Sequence, residues 1–169
     1  MFREGLFATL FMFALPASAG EVMQTLTPKD LKAHLKSKSY QIFMHEDEFD
    51  NPQLLVTPEG VDEEEQHKRF AMRLMNCEEG QDNFLIRKCA GYEYWSYQRP
   101  GFSIKQKTFD EWNLKVGQAH GFRDDEFTYL SWYVHLGGGY TWDNIDAQLE
   151  LWQNQQELYK DHLDESVLD

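Results

Sequence analysis

"RFAMRLMNCEEGQDNFLIRKCAGYEYWSY", residues 69–97, contains two runs of alternating side chains separated by EEGQDN. Phe70, Met72 and Leu74 alternate with Ala71, Arg73 and Met75, and Phe84 and Ile86 alternate with Leu85 and Arg87. A period of two marks strands with one buried face, and the polar, glycine-containing insert between them is turn chemistry. The stretch therefore predicts an antiparallel hairpin. Cys77 and Cys89, the two cysteines of the chain, fall in its opposite halves and are expected to form a disulfide. Closing a loop of this size stabilises the fold by about 3 kcal/mol through the unfolded state. A redox or metal-binding thiol pair would call for C-x-x-C spacing or a nearby histidine motif, and neither is present. Tyr92, Tyr94, Trp95 and Tyr97 end the hairpin in an aromatic-rich segment, read as core and edge packing.

Upstream, LTPKDLKAHL carries a helix start. Thr27 is placed to cap, Pro28 takes the first helical position, and Asp30 can complete a capping box. A short amphipathic helix over 28–37 follows, with Leu26 and Leu31 as a hydrophobic staple, Leu31 and Leu35 inward, and His34 on the solvated face. From Tyr40 the pattern gives a strand, a polar turn around Asn51-Pro52, and a second strand ending before Pro58. The acids Glu46, Asp47, Glu48 and Asp50 lack the D-x-[DN]-x-[DN]-G layout of a calcium loop and read as a solvated turn. GVDEEEQHK, from Gly60, reads as another acidic loop, where His67 stands without a second histidine to make a transition-metal site.

Downstream, Thr108 and Glu111 have capping-box spacing in KTFDEWNLKVG, and Gly117 is placed to end the helix. Asp110 and Glu111 then belong to its first turn, where exposed N–H groups favour negative charge. QAHGF and FTYLSWYVHL flank FRDDEF, predicting a hairpin whose tip holds Asp124, Asp125 and Glu126. Leu130, Trp132, Val134 and Leu136 share one face of its second strand; Ser131, Tyr133 and His135 share the other. After Gly137–Gly139, Thr141 caps a long helix, with Tyr140 stapled to Ile145 and a buried stripe of Ile145, Leu149, Trp152, Tyr159 and Leu163. The glycines lack the GxxxxGK[ST] and GxGxxG patterns of phosphate loops and are read as a tight turn.

The amino terminus, MFREGLFATLFMFALPASAG, has the three-part layout of a secretory signal peptide. Arg3 precedes an apolar run from Leu6 to Leu15, and Ala17-Ser18-Ala19 supplies the small residues of a cleavage site after Ala19. The run is too short to span a bilayer. Residues 20–169 then form one mature domain, expected in the periplasm or secreted. Its net charge of −13 opposes binding to nucleic acid and to anionic lipid, and no membrane insertion is expected after cleavage. Cationic partners remain open.

From Cys77 onward, the strand around Cys89, "FDEWN" at 109–113, the acidic hairpin "RDDEF" and "HLGGGYTWDNIDAQLELW" at 135–152 resemble the YbjN family, described as bacterial sensory transduction regulators. The resemblance implies an α+β fold, a curved antiparallel sheet with flanking helices, similar to type III secretion chaperones. It implies no catalytic residue set and no cofactor. The chain departs from the family pattern in the Asp-Asp-Glu tip, which lacks an expected glycine, and in a longer, more acidic first half. The resulting expectation is a non-enzymatic exported protein that binds another protein, in a regulatory or chaperone-like role, with homodimerisation suggested by analogy. The alternative is a small-ligand or calcium-binding module built on the acid-rich loops at 46–50, 62–65 and 124–126. A hydrolase using His120 or His135 with a carboxylate stands last, because GxSxG and HExxH are both missing.

Overall fold

The computed structural model describes residues 21–63, 65–80, 82–98 and 104–167. Helix α1 (Pro28–Ser37) leads into strands β1 (Tyr40–Glu46), β2 (Pro52–Pro58), β3 (Phe70–Cys77) and β4 (Cys89–Gln98). Helix α2 (Gln106–Lys115), strands β5 (His120–Arg123) and β6 (Thr128–His135), and helix α3 (Trp142–Val167) complete the chain. The strands make one antiparallel six-stranded sheet in the order β1-β2-β3-β4-β6-β5, not closed into a barrel. With three helices this is an α+β fold. The signal-peptide reading of residues 1–19 lies outside the described residues. Among the described residues no helix is long and apolar enough to cross a membrane.

Period two sorts every strand into two faces. Leu54 and Val56, Met72 and Leu74, Tyr92 and Tyr94, and Leu130 and Val134 point to one side and are buried. They share a single cluster with Leu31 and Leu35 of α1, Phe109 and Trp112 of α2, and Ile145, Leu149, Trp152, Tyr159 and Leu163 of α3. All three helices therefore lie on the same side of the sheet. Trp152 stacks on Tyr94 with ring centroids 5.1 Å apart and meets Phe70 edge-on. Burying aromatic rings of this size dominates the stability of such a core.

The expected caps hold at α1 and α3. Thr27 Oγ1 accepts from Asp30 N at 3.1 Å. Thr141 and Asn144 satisfy each other reciprocally, Thr141 N donating to Asn144 Oδ1 at 3.1 Å and Asn144 N to Thr141 Oγ1 at 3.3 Å. Gly138 and Gly139 turn the chain into α3 at φ values of 92° and 90°, a region that favours glycine. Leu26 pairs with Cys89 through two backbone hydrogen bonds of 2.9 Å, so the segment entering α1 is tied to the start of β4.

Three local expectations are corrected. Phe84–Ile86 is a 3₁₀ turn rather than a strand, because Asn83 Oδ1 captures Leu85 N at 3.0 Å and Leu85 and Ile86 stay exposed, without a face to bury. The hairpin strands meet instead at Cys77 and Cys89, directly opposed with Sγ atoms 2.04 Å apart. Helix α2 starts at Gln106 with Lys105 as its cap, so Thr108 lies inside it, buried, and Asp110 and Glu111 fall beyond its first turn. His34 is not solvated. Its side chain is 12% exposed, stacks on Trp142 at 4.3 Å and meets Asp146 Oδ1 through Nε2 at 2.6 Å.

Candidate functional site

The side of the sheet opposite the helices carries the outward residues of each strand. Register places Phe43, Leu55, Ala71, Trp95, Ser131 and His120 in one row across all six strands. Phe43 is 65% exposed, Tyr97 66%, Tyr133 44% and Leu55 41%. Isolated exposed apolar residues are ordinary, but several on one sheet face that no helix covers among the described residues single it out as the candidate site.

Charge at the centre of this face is internally matched. Arg73 Nε lies 2.9 Å from Asp47 Oδ2, and Nη1 lies 3.9 Å from Glu93 Oε2. The same guanidinium sits over the Trp95 ring, 5.0 Å from its centroid, a cation–π contact. Asp47 also accepts from Phe49 N and Asn51 N, both at 2.9 Å, which builds the β1–β2 turn. This carboxylate of the first acid-rich loop is thus committed to its own turn and to Arg73.

Toward the β5–β6 edge the face becomes aromatic. Phe122 stacks on Tyr129 at 5.1 Å, Trp95 meets Phe122 edge-on at 5.5 Å, and Tyr97 meets Phe127 at 5.7 Å. The hairpin tip borders this cluster. Asp124 Oδ1 accepts from Phe127 N at 2.7 Å and Glu126 N at 2.8 Å, and its Oδ2 accepts from the Tyr129 hydroxyl at 2.6 Å. The Tyr129 hydrogen bond, followed by the two amides, holds the Asp124 carboxyl below its ordinary range. The same hydrogen bond, with burial and nearby negative charge, pushes the Tyr129 phenol up to about 12. Asp124 makes the turn itself, without the glycine expected there.

The edge is held in place from the helical side. Asn113 donates from Nδ2 to Gly121 O at 2.9 Å and accepts from Gly121 N at 2.8 Å, while Trp112 Nε1 donates to Ala119 O at 3.0 Å. Gly121 is required by packing: a Cβ there would stand 2.9 Å from the Tyr159 ring and 3.0 Å from that of Trp112. Trp112 and Asn113 therefore fasten β5 and the residue before it to α2.

A second polar region runs along α3, opposite the open face. Lys38 Nζ and His34 Nε2 each reach Asp146 at 2.6 Å, and His67 Nε2 reaches Glu157 at 3.1 Å, beside Lys68. Burial works to raise the Asp146 carboxyl, but hydrogen bonds and charge from Lys38 and His34 leave it below its ordinary value. An open cleft of about 280 Å³ lies here, lined by Lys38, Tyr40, Asp146, Leu149, Glu150 and Gln153. Gln153 donates to the Tyr40 hydroxyl at 2.9 Å, and the buried Gln156 donates to His67 O at 2.7 Å. These contacts dock α1 and the 66–68 turn on α3.

His120 and His135 both lie exposed on the outward side of the sheet. His120 stacks on Phe122, and His135 Nδ1 accepts from Gly137 N at 2.7 Å. Among the described residues neither forms an ion pair, and no three His, Cys, Asp or Glu side chains gather where they could hold a metal ion.

In the sequence, Tyr92, Tyr94, Trp95 and Tyr97 form one aromatic segment. Carrying the period of two through it would have separated Tyr92 and Tyr94, which enter the core, from Trp95 and Tyr97, which face outward. In comparisons with family models, curated proteins and solved structures, nothing matches this chain.

Proposed function

We propose that this chain is a non-enzymatic, exported protein-binding module, regulatory or chaperone-like, that engages its partner through the open face of the sheet. One observation carries the reading: the helices all cover one side, and the other presents Phe43, Leu55, Tyr97 and Tyr133 to solvent beside Trp95, Phe122 and Tyr129. Export, to the periplasm or beyond, is supported by the signal-like residues 1–19 and by the Cys77–Cys89 pair, since disulfides persist in oxidising compartments. We propose further that the chain is an exported relative of the YbjN family, on the motifs at 109–113 and 135–152. A homodimer through this face is disfavoured by the repulsion between two chains of net charge −13.

Site-specific photo-crosslinking in cells tests the reading. A photoreactive residue at position 97 or 133 should join the protein to one discrete partner. The same residue at Leu158, 54% exposed on α3, should not. Crosslinking from Leu158 with none from positions 97 and 133 would overturn the assignment and move binding to the helical side.

A further inference from the structure

Resting on that reading, the partner's chemistry can be taken one step further. Trp95, Tyr97, Phe122, Phe127 and Tyr129 are linked ring to ring at centroid distances from 5.1 Å, between Phe122 and Tyr129, to 6.4 Å, between Phe127 and Tyr129. Asp124, Asp125 and Glu126 border them, all three exposed. Asp124 spends its oxygens on the turn and on Tyr129, so the outward negative charge belongs to Asp125 and Glu126.

The other side of Trp95 displays the chemistry that such a surface accepts. There, a guanidinium lies on the indole and is neutralised by two carboxylates, those of Asp47 and Glu93. Among the described residues, Arg73 is the one cation seated on an aromatic ring of the chain. At the β5–β6 corner the rings and the carboxylates recur, and the Arg123 guanidinium is turned away to donate to Ile104 O at 2.8 Å. A chain of net charge −13 also attracts a basic partner at long range.

We propose that this corner receives an arginine-bearing basic segment of the partner protein, with a guanidinium packed on the Tyr97–Tyr129 side of the cluster and neutralised by Asp125 and Glu126. Arginine is favoured over lysine because its planar group both stacks on rings and forks onto carboxylates. A second copy of this acidic chain does not offer that complement.

The test uses the mature, disulfide-bonded protein, a synthetic peptide of alternating arginine and leucine, and its lysine counterpart. NMR shift changes should concentrate on Trp95, Tyr97, Phe122, Phe127 and Tyr129, with the arginine peptide binding more tightly. The double substitution Asp125→Asn/Glu126→Gln should weaken binding about tenfold or more, and Tyr97→Ser about fivefold, the size of one cation–π contact. Asp161→Asn/Glu165→Gln, an equal charge change on the exposed part of α3, should alter it less than about twofold, as expected for rim charges outside the site. Equal weakening by the two double variants, shifts spread over the whole acidic surface, or no binding would each overturn the proposal. If crosslinking still runs through positions 97 and 133 in that event, the open face binds a partner of other chemistry and only this inference fails. If crosslinking runs through Leu158 alone, the reading beneath it fails as well.

Discussion

Asp124 concentrates more local structure than any other acid of the hairpin tip. One carboxylate accepts two backbone amides and a phenol, and so replaces the glycine usually found in such a turn. Because its folded pKa is depressed, its contribution is present above the ordinary carboxylate value and is lost as pH falls through the lower folded one. The Tyr129 phenol has the opposite sign: raised in the fold, it loses its contribution as pH climbs from its ordinary 10.0 through about 12. Asp124→Ala should bring the Tyr129 titration down toward 10, followed by NMR of ring-labelled tyrosine. A Tyr129 titration that stays near 12 in that variant would show that burial, rather than the carboxylate, sets it.

At the scale of elements, capping chemistry and period were legible where the local signal had no competitor. Thr27 with Pro28 and Thr141 after the glycines mark α1 and α3, and the stripe from Ile145 to Leu163 is buried as the helical spacing requires. The signal misled where two patterns overlapped. Thr108 and Glu111 have capping-box spacing, yet the helix begins earlier because Thr108 turns inward and its carbonyl accepts from His162 at 2.8 Å. Alternation at Phe84–Arg87 suggested a strand, but an Asn83 turn with no available sheet partner won. His34 and His67 were illegible for another reason: their carboxylates on α3 lie more than 80 positions away, a distance that local pattern does not encode. The disulfide was legible from the signal-like leader and from the presence of just two cysteines in the sequence. Replacing both Cys77 and Cys89 with alanine should lower unfolding stability by about 3 kcal/mol in denaturant titration. A loss under about 0.5 kcal/mol would mean that strand pairing alone holds the β3–β4 end.

Across the whole molecule the sheet is asymmetric. Its inner face is sealed by α1, α2 and α3, and its outer face is left to a central ion cluster and an aromatic edge. The residues that carried the family resemblance, Trp112, Asn113, the glycine turn and Thr141 with Asn144, all build the scaffold. The outward aromatics owe their position to register rather than to any motif, which is why α+β architecture was readable from sequence and the candidate face was not. These outward side chains can be removed without entering the core. Phe43→Ser with Tyr97→Ser changes two residues that are 65% and 66% exposed. The decisive measurement is the yield of the partner crosslinked through position 133 in this double variant, alongside the unfolding midpoint of the same protein. Loss of the crosslink at an unchanged midpoint is the predicted result; an undiminished crosslink would contradict the assignment of function to the open face.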